Sequence, residues 1–114
     1  MTSLERQAER RGVAPPSAAT LRKYGLTRDD WIALLKAQGW RCPICLRHSP
    51  ALKWVVDHHH VPMWSSLTPE QRKRHVRGIL DSWCNHRRVH SEMGAAEAQR
   101  MADYFKAHET RRDA

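Results

Sequence analysis

Cys42-Pro-Ile-Cys45 and Asp81-Ser-Trp-Cys84 repeat one spacing, with two residues between two potential metal ligands. Such a spacing lets a tight turn aim both side chains at one ion, and a tetrahedral zinc needs four ligands. A chain that must gather positions 42, 45, 81 and 84 has few folds open to it. The spacing predicts a structural zinc on Cys42, Cys45 and Cys84, with Asp81 as fourth ligand. His48 and His90 compete for that fourth place. Asp81 can also cap the helix that follows it, and the two roles are compatible. The plainer alternative for the cysteines is burial as small apolar side chains. Three cysteines cannot all be consumed by intramolecular disulfides, which favours a reduced metal site.

At 114 residues the chain has room for one domain with a modest core, and a structural metal would help hold it. Lys and Arg number 20 against 12 Asp and Glu, a formal charge of +8. A surface so basic attracts polyanions, because neutralising each phosphate releases counterions. The same charges can also be ordinary solvated surface. The first eleven residues lack the apolar run of a secretory signal, and no stretch approaches the ~20 apolar residues of a membrane helix. The expectation is an intracellular, cytoplasmic protein with nucleic acid, not membrane, as its partner.

Along the chain, residues 1–12 can form a short charged helix, with nothing that demands a core contact. "GVAPPSAAT" reads as a linker or ordered arm. "TRDDWIALLKAQG" is a helix capped by Thr27 with Asp30 three positions on. Trp31, Leu34 and Leu35 form its apolar face, and Gly39 ends it. "LKWVVDH" and "HVRGIL" are short strands. Between them "LTPEQRKRH" is a helical turn, with Thr68 as cap and Pro69 in first position. "SWCNHRRVHSEMG" starts a helix near Trp83 that stops at Gly94. "AAEAQRMADYFKAHE" is a last helix with Ala98, Met101, Ala102 and Phe105 on one face. The organisation is a basic N-terminal arm or linker over 1–20, a central domain over 21–94, and a C-terminal helix and tail over 95–114.

"VVDHHH" closes the first strand with Asp57, His58, His59 and His60. If zinc holds Cys84, it fixes the backbone of the adjoining Asn85. Strand, strand and helix then bring Asp57, His58 and Asn85 together. Carboxylate and amide oxygens suit a hard cation such as Mg²⁺ or Mn²⁺. An imidazole beside that cation is a ready general base for water. The cation would relieve charge on a pentacovalent phosphate and a departing oxygen. Neighbouring side chains on a regular strand point to opposite faces, so Asp57 and His58 can share one site only if pairing breaks there.

The sequence resembles the phage recombination endonuclease VII family of HNH (ββα-metal) nucleases. The resemblance rests on "KYGLTRDDWIALLKAQGWRCPIC", "VVDHHH" and "VRGILDSWCN", taken in that order. It implies an α+β fold, a small zinc-stabilised hairpin packed by helices, spanning the central domain. It implies a DNA endonuclease in which Asp57 and Asn85 hold the catalytic cation, His58 is the base, and His60 positions phosphate or water. Cys42, Cys45 and Cys84 would be structural zinc ligands. Asp81 stands where the family has a further cysteine, and the segment 61–75 is longer than the family's short turn. The resemblance suggests branched DNA, although HNH domains also serve as nonspecific nickases and sequence-specific cutters. Branch resolution calls for two active sites. No apolar heptad announces a homodimer, but the N-terminal segment and last helix could supply its contact.

Arg72, Lys73 and Arg74 before the second strand, Arg77 on it, and Arg87 and Arg88 after Asn85 are candidates to grip phosphates, or simply a solvated face. Trp64 can stack on a base, but covering a small core is the plainer role. Trp31, Trp40, Trp54 and Trp83 read as core, and His75, His86 and His108 as surface. His59 should point away from His58. Two other readings stand beside the nuclease: a zinc-knuckle nucleic-acid-binding protein that cuts nothing, and an RNase using the same residues.

Overall fold

The computed structural model describes residues 1–48, 53–86 and 94–113. The fold is mixed α+β, as expected, with a two-stranded antiparallel hairpin packed by helices. β1 (Trp54–His58) pairs with β2 (Val76–Asp81), Val55 opposite Leu80 and Val56 opposite Ile79. Side chains alternate across a strand, so the hairpin has two apolar faces. Val56 and Ile79 join a core built from the N-terminal half of the chain. Leu80 and Val55 pack with Cys42, Ile44 and Cys84. The hairpin therefore ties the metal turn to the main core.

α3 (Arg28–Ala37) forms as its sequence dictates. The Thr27 hydroxyl accepts the Asp30 N–H at 3.0 Å, and the Asp30 carboxylate accepts the Thr27 N–H at 2.9 Å. Trp31, Ile32 and Leu35 are buried. The Gln38 side chain then does what an extra strand would do. Its amide donates to the Ile79 carbonyl at 2.7 Å and accepts the Ile79 N–H at 2.8 Å, satisfying the open edge of β2. α4 (Pro69–His75) starts on a reciprocal Thr68–Gln71 cap and runs directly into β2.

The first twelve residues do contact the core. α1 (Ser3–Arg10) buries Ala8, Val13 follows it inward, and Leu4 packs alongside. Glu5 meets Arg28 at 3.3 Å and the Thr2 hydroxyl donates to Asp29 at 2.7 Å. Within the stretch read as linker, α2 (Ala18–Lys23) is capped by Ser17 and buries Leu21. Six residues are too few to show a helical period, so packing rather than pattern fixes this turn. Gly25 follows with φ +69°, and a β-carbon there would lie 2.0 Å from the Pro69 carbonyl oxygen. The chain turns tightly against α4 at this point, and only glycine fits.

α5 (Ser82–His86) begins one residue before the expected start. Residues 87–93, which its expected run to Gly94 crosses, lie outside the described part. α6 (Ala95–Asp113) presents a different face from the one expected. Ala98 and Ala102 are exposed, whereas Met101, Tyr104 and Phe105 are half-buried and His108 is buried. The spacing is still i, i+3, i+4, i+7, but the larger side chains set the inward direction. His108 is thus not a surface residue, and Trp83, at 40% exposure, is not core. Trp31 and Trp40 are buried and Trp54 is half-buried. His75 is half-buried, with its ring stacked on His59 at 5.9 Å, while His86 is exposed.

Candidate metal centre and phosphate site

The turn after α3 and the junction of β2 with α5 bring the repeated ligand pairs together. Ligand atoms of Cys42, Cys45, Asp81 and Cys84 all lie within 4.8 Å of one another, and three of the four residues are buried. The three cysteines form no disulfide. Asp81 serves both tasks expected of it. Oδ1 accepts the Cys84 N–H at 2.8 Å, capping α5, and Oδ2 accepts the Cys45 thiol at 2.7 Å. His48 is not part of the cluster. Its ring nitrogens meet the carbonyls of Trp40 and Arg11. His90 lies outside the described residues.

Four acidic groups in so small a space cannot all ionise unaided. A hydrogen bond from the Cys84 thiol holds Cys42 down at about 6, against burial. The same bond, with burial, pushes Cys84 up. Burial and the bond to Asp81 raise Cys45. Burial would raise Asp81 too, but bonds from Cys45 and the Cys84 N–H keep its carboxyl below the ordinary range. A divalent cation would stabilise all four deprotonated ligands at once. The donor set, three thiolates and one carboxylate, could hold a metal such as zinc.

Hairpin pairing breaks at the second candidate site. Asp57 pairs with Gly78 but His58 pairs with Val76, so Arg77 is the extra residue of a bulge. The break falls between Asp57 and His58, where the sequence requires it. Asp57 is buried at 1% exposure. Arg77 spans its carboxylate, Nε 2.9 Å from Oδ2 and Nη2 donating to Oδ1 at 3.1 Å. Nη2 also donates to the His58 carbonyl at 3.1 Å, and the guanidinium lies over the Phe105 ring. From α6 the Tyr104 hydroxyl donates to Asp57 Oδ2 at 2.9 Å.

His58 lies on the other side of the bulge, half-buried among rings. Its centroid is 5.3 Å from Tyr24, 4.6 Å from Trp64 and 4.6 Å from His60. Burial lowers its pKa below the usual 6.5, and His60 lowers it further against the opposing pull of Asp57. His60 is exposed. His59 stacks on His75 instead, and its N–H donates to the His75 carbonyl at 2.7 Å. Asn85 is half-exposed on α5, directly after buried Cys84, and α5 packs on both strands. Trp64 follows Met63 in the inter-strand segment and donates from its indole to the Lys23 carbonyl at 3.0 Å. It packs its ring against His58 as well as serving as a cover.

The basic candidates divide. Arg72 clasps its own segment, donating to the Trp64 carbonyl at 3.3 Å and the Ser65 carbonyl at 3.0 Å. Lys73 pairs with Asp30 at 3.2 Å but stays about half exposed. Arg74 is exposed. Arg77 has a side chain only 15% exposed and engages Asp57. Arg87 and Arg88 lie outside the described residues. Sequence reasoning does not single out Tyr24, Tyr104 or Gln38. One clue is present: Gly78 lies inside a strand, a mark of close approach by another group. A β-carbon there would sit 2.6 Å from Gln38 Oε1 and 2.9 Å from the Tyr104 hydroxyl.

No helix among the described residues is long and apolar enough to cross a membrane. Neither the curated proteins nor the solved structures compared with this chain give a match. The family model described as recombination endonuclease VII matches residues 17–107, a span holding the four-ligand cluster, the bulge, Asn85 and Tyr104. With most of its length so matched, the chain belongs to the recombination endonuclease VII family, nucleases that act on DNA.

Proposed function

We propose that this protein is a metal-dependent DNA endonuclease with an HNH-type centre. The observation that carries the reading is the bulge between Asp57 and His58. It releases two adjacent residues from strict alternation across the strand, so that a held carboxylate and a half-buried imidazole can serve one site. His58, with its pKa lowered by burial, is uncharged at neutral pH and can take a proton from water. Asp57 and Asn85 supply carboxylate and amide oxygens, which fit Mg²⁺ or Mn²⁺. When bound there, such a cation supplies charge stabilisation for the phosphorane and the leaving oxygen. Arg77 and Tyr104 keep the Asp57 carboxylate oriented. His60, exposed beside His58, positions phosphate or water. Zinc on Cys42, Cys45, Asp81 and Cys84 anchors the start of α5 and so the backbone of Asn85. Lys73, Arg74, Arg87 and Arg88 contribute phosphate contacts.

Supercoiled plasmid tests this reading. The zinc-loaded protein should nick it with Mg²⁺ or Mn²⁺, and chelating those ions should stop the reaction. Binding without nicking under any divalent ion would leave a zinc-knuckle binding protein instead. Comparing a four-way junction, linear duplex, single strand and RNA then assigns the substrate form, with junction resolution expected if the chain works as a homodimer.

A further inference from the structure

A groove of about 720 Å³ runs between α4 and the C-terminal end of α6. Glu70, Lys73 and Arg74 line it from α4, His108, Arg111 and Arg112 from α6, and Val76 lies between them. We propose that this groove is a second phosphodiester-binding tract, holding the DNA backbone beyond the scissile phosphate.

Two features point to an anionic occupant, and one supplies a reporter inside the groove. Four of the lining residues are cationic and one is acidic, and Arg74, Arg111 and Arg112 are exposed. Arg74 has no carboxylate partner among the described residues. Second, His108 is 3% exposed, and its Nε2 meets the Arg74 carbonyl at 3.2 Å. Its Nδ1 is buried without a partner among the described residues. With Nε2–H donating to that carbonyl, Nδ1 is an acceptor and no phosphate contact, and the ring instead marks the groove wall as a reporter of what enters it. Third, the groove adjoins the candidate site. Val76 faces His58 across the hairpin, Arg77 follows on Asp57, and the Arg111 guanidinium reaches the Arg77 carbonyl at 3.4 Å. A strand engaged at His58 would therefore continue naturally into the groove.

The tract rests on the nuclease reading for its ligand, so cleavage and binding are measured separately. Binding of a short duplex is followed against salt concentration, with zinc-loaded His58→Ala protein and no Mg²⁺. Each phosphate that is no longer neutralised should reduce the slope of log affinity against log salt by about 0.9. Adding Arg111→Gln and Arg112→Gln should weaken binding and flatten that slope by about one to two units, while lysines at both positions should preserve it. In the same protein, duplex should shift the His108 ring signals in NMR spectra. An unchanged slope in the glutamine variant, or unmoved His108 signals, overturns the tract. A flattened slope in a protein whose wild type never nicks DNA keeps the tract and removes the nuclease reading. Nicking by wild type with an unchanged slope does the reverse.

Discussion

The Tyr104 hydroxyl donates to Asp57 Oδ2 at 2.9 Å, joining the last helix to the bulged strand. Arg77 holds the same carboxylate from β2. Asp57 is thus oriented from two elements, and the proposed cation would meet a carboxylate already held in place. Removing groups that orient a metal ligand costs on the order of 10- to 100-fold in metal affinity or activity. Tyr104→Phe should accordingly raise the Mn²⁺ concentration needed for half-maximal nicking by about that factor. Its unfolding free energy should fall by the worth of one hydrogen bond to a charged group, about 1.5–3 kcal/mol. An unchanged Mn²⁺ requirement would remove Tyr104 from the site.

Gly78 lets Tyr104 and Gln38 approach β2 together. Gly78→Ala puts a methyl 2.6 Å from the Gln38 oxygen, where it must displace the amide that pairs with Ile79. Overpacking of this kind costs about 1–3 kcal/mol. Urea denaturation should show that decrease, and nicking should fall with it. Wild-type stability in this variant would mean that the packing at Gly78 is slack.

Metal removal should act on the fold first. Cys42, Ile44, Leu80 and Cys84 form one buried cluster, so the ligands are themselves core. Where a metal site forms only in the folded chain, binding energy is folding energy. Stripping zinc with a tight chelator should abolish the cooperative thermal transition in circular dichroism, and stoichiometric zinc should restore it. Cys84→Ser should behave like the stripped protein. A chelated chain that still melts cooperatively at the same temperature would contradict the coupling.

The pH dependence follows from the surroundings of His58. Burial and His60 lower its pKa beneath 6.5. A base works only when unprotonated, so the nicking rate should be full at neutral pH and fall as acid protonates the ring. The decline should be centred below the ordinary imidazole value, and a nearby divalent cation would move it lower still. Single-turnover rates across about pH 5 to 8 check this. A decline centred above the ordinary imidazole value would mean that His58 is stabilised in its charged form.

Much of this is legible where a local rule decides the outcome. Thr27 and Thr68 announce helix starts because a hydroxyl three residues from an acid or amide closes a cap. The ligand spacing selects the four residues the fold gathers, and Asp57 next to His58 requires a break that the hairpin contains. What stays hidden depends on long-range packing. Tyr104 reaches Asp57 from 47 positions away, and no periodicity in α6 distinguishes it from a core tyrosine. Arg77 reads as a phosphate grip because charge suggests a partner outside the protein, yet its guanidinium is used on Asp57. α2 escapes a reading by pattern because six residues are too few to carry a period. His108 reads as surface because imidazoles usually are, while the bulky residues of α6 turn it inward.

The most direct test compares single-turnover nicking of supercoiled plasmid by wild type and His58→Ala, both zinc-loaded and in saturating Mg²⁺. Removing a general base removes about 10²–10⁴ of the rate. The variant should therefore bind the plasmid as tightly as wild type yet nick it at least about a hundredfold more slowly. Equal nicking by the two proteins would contradict the role given to His58, and with it the proposed chemistry.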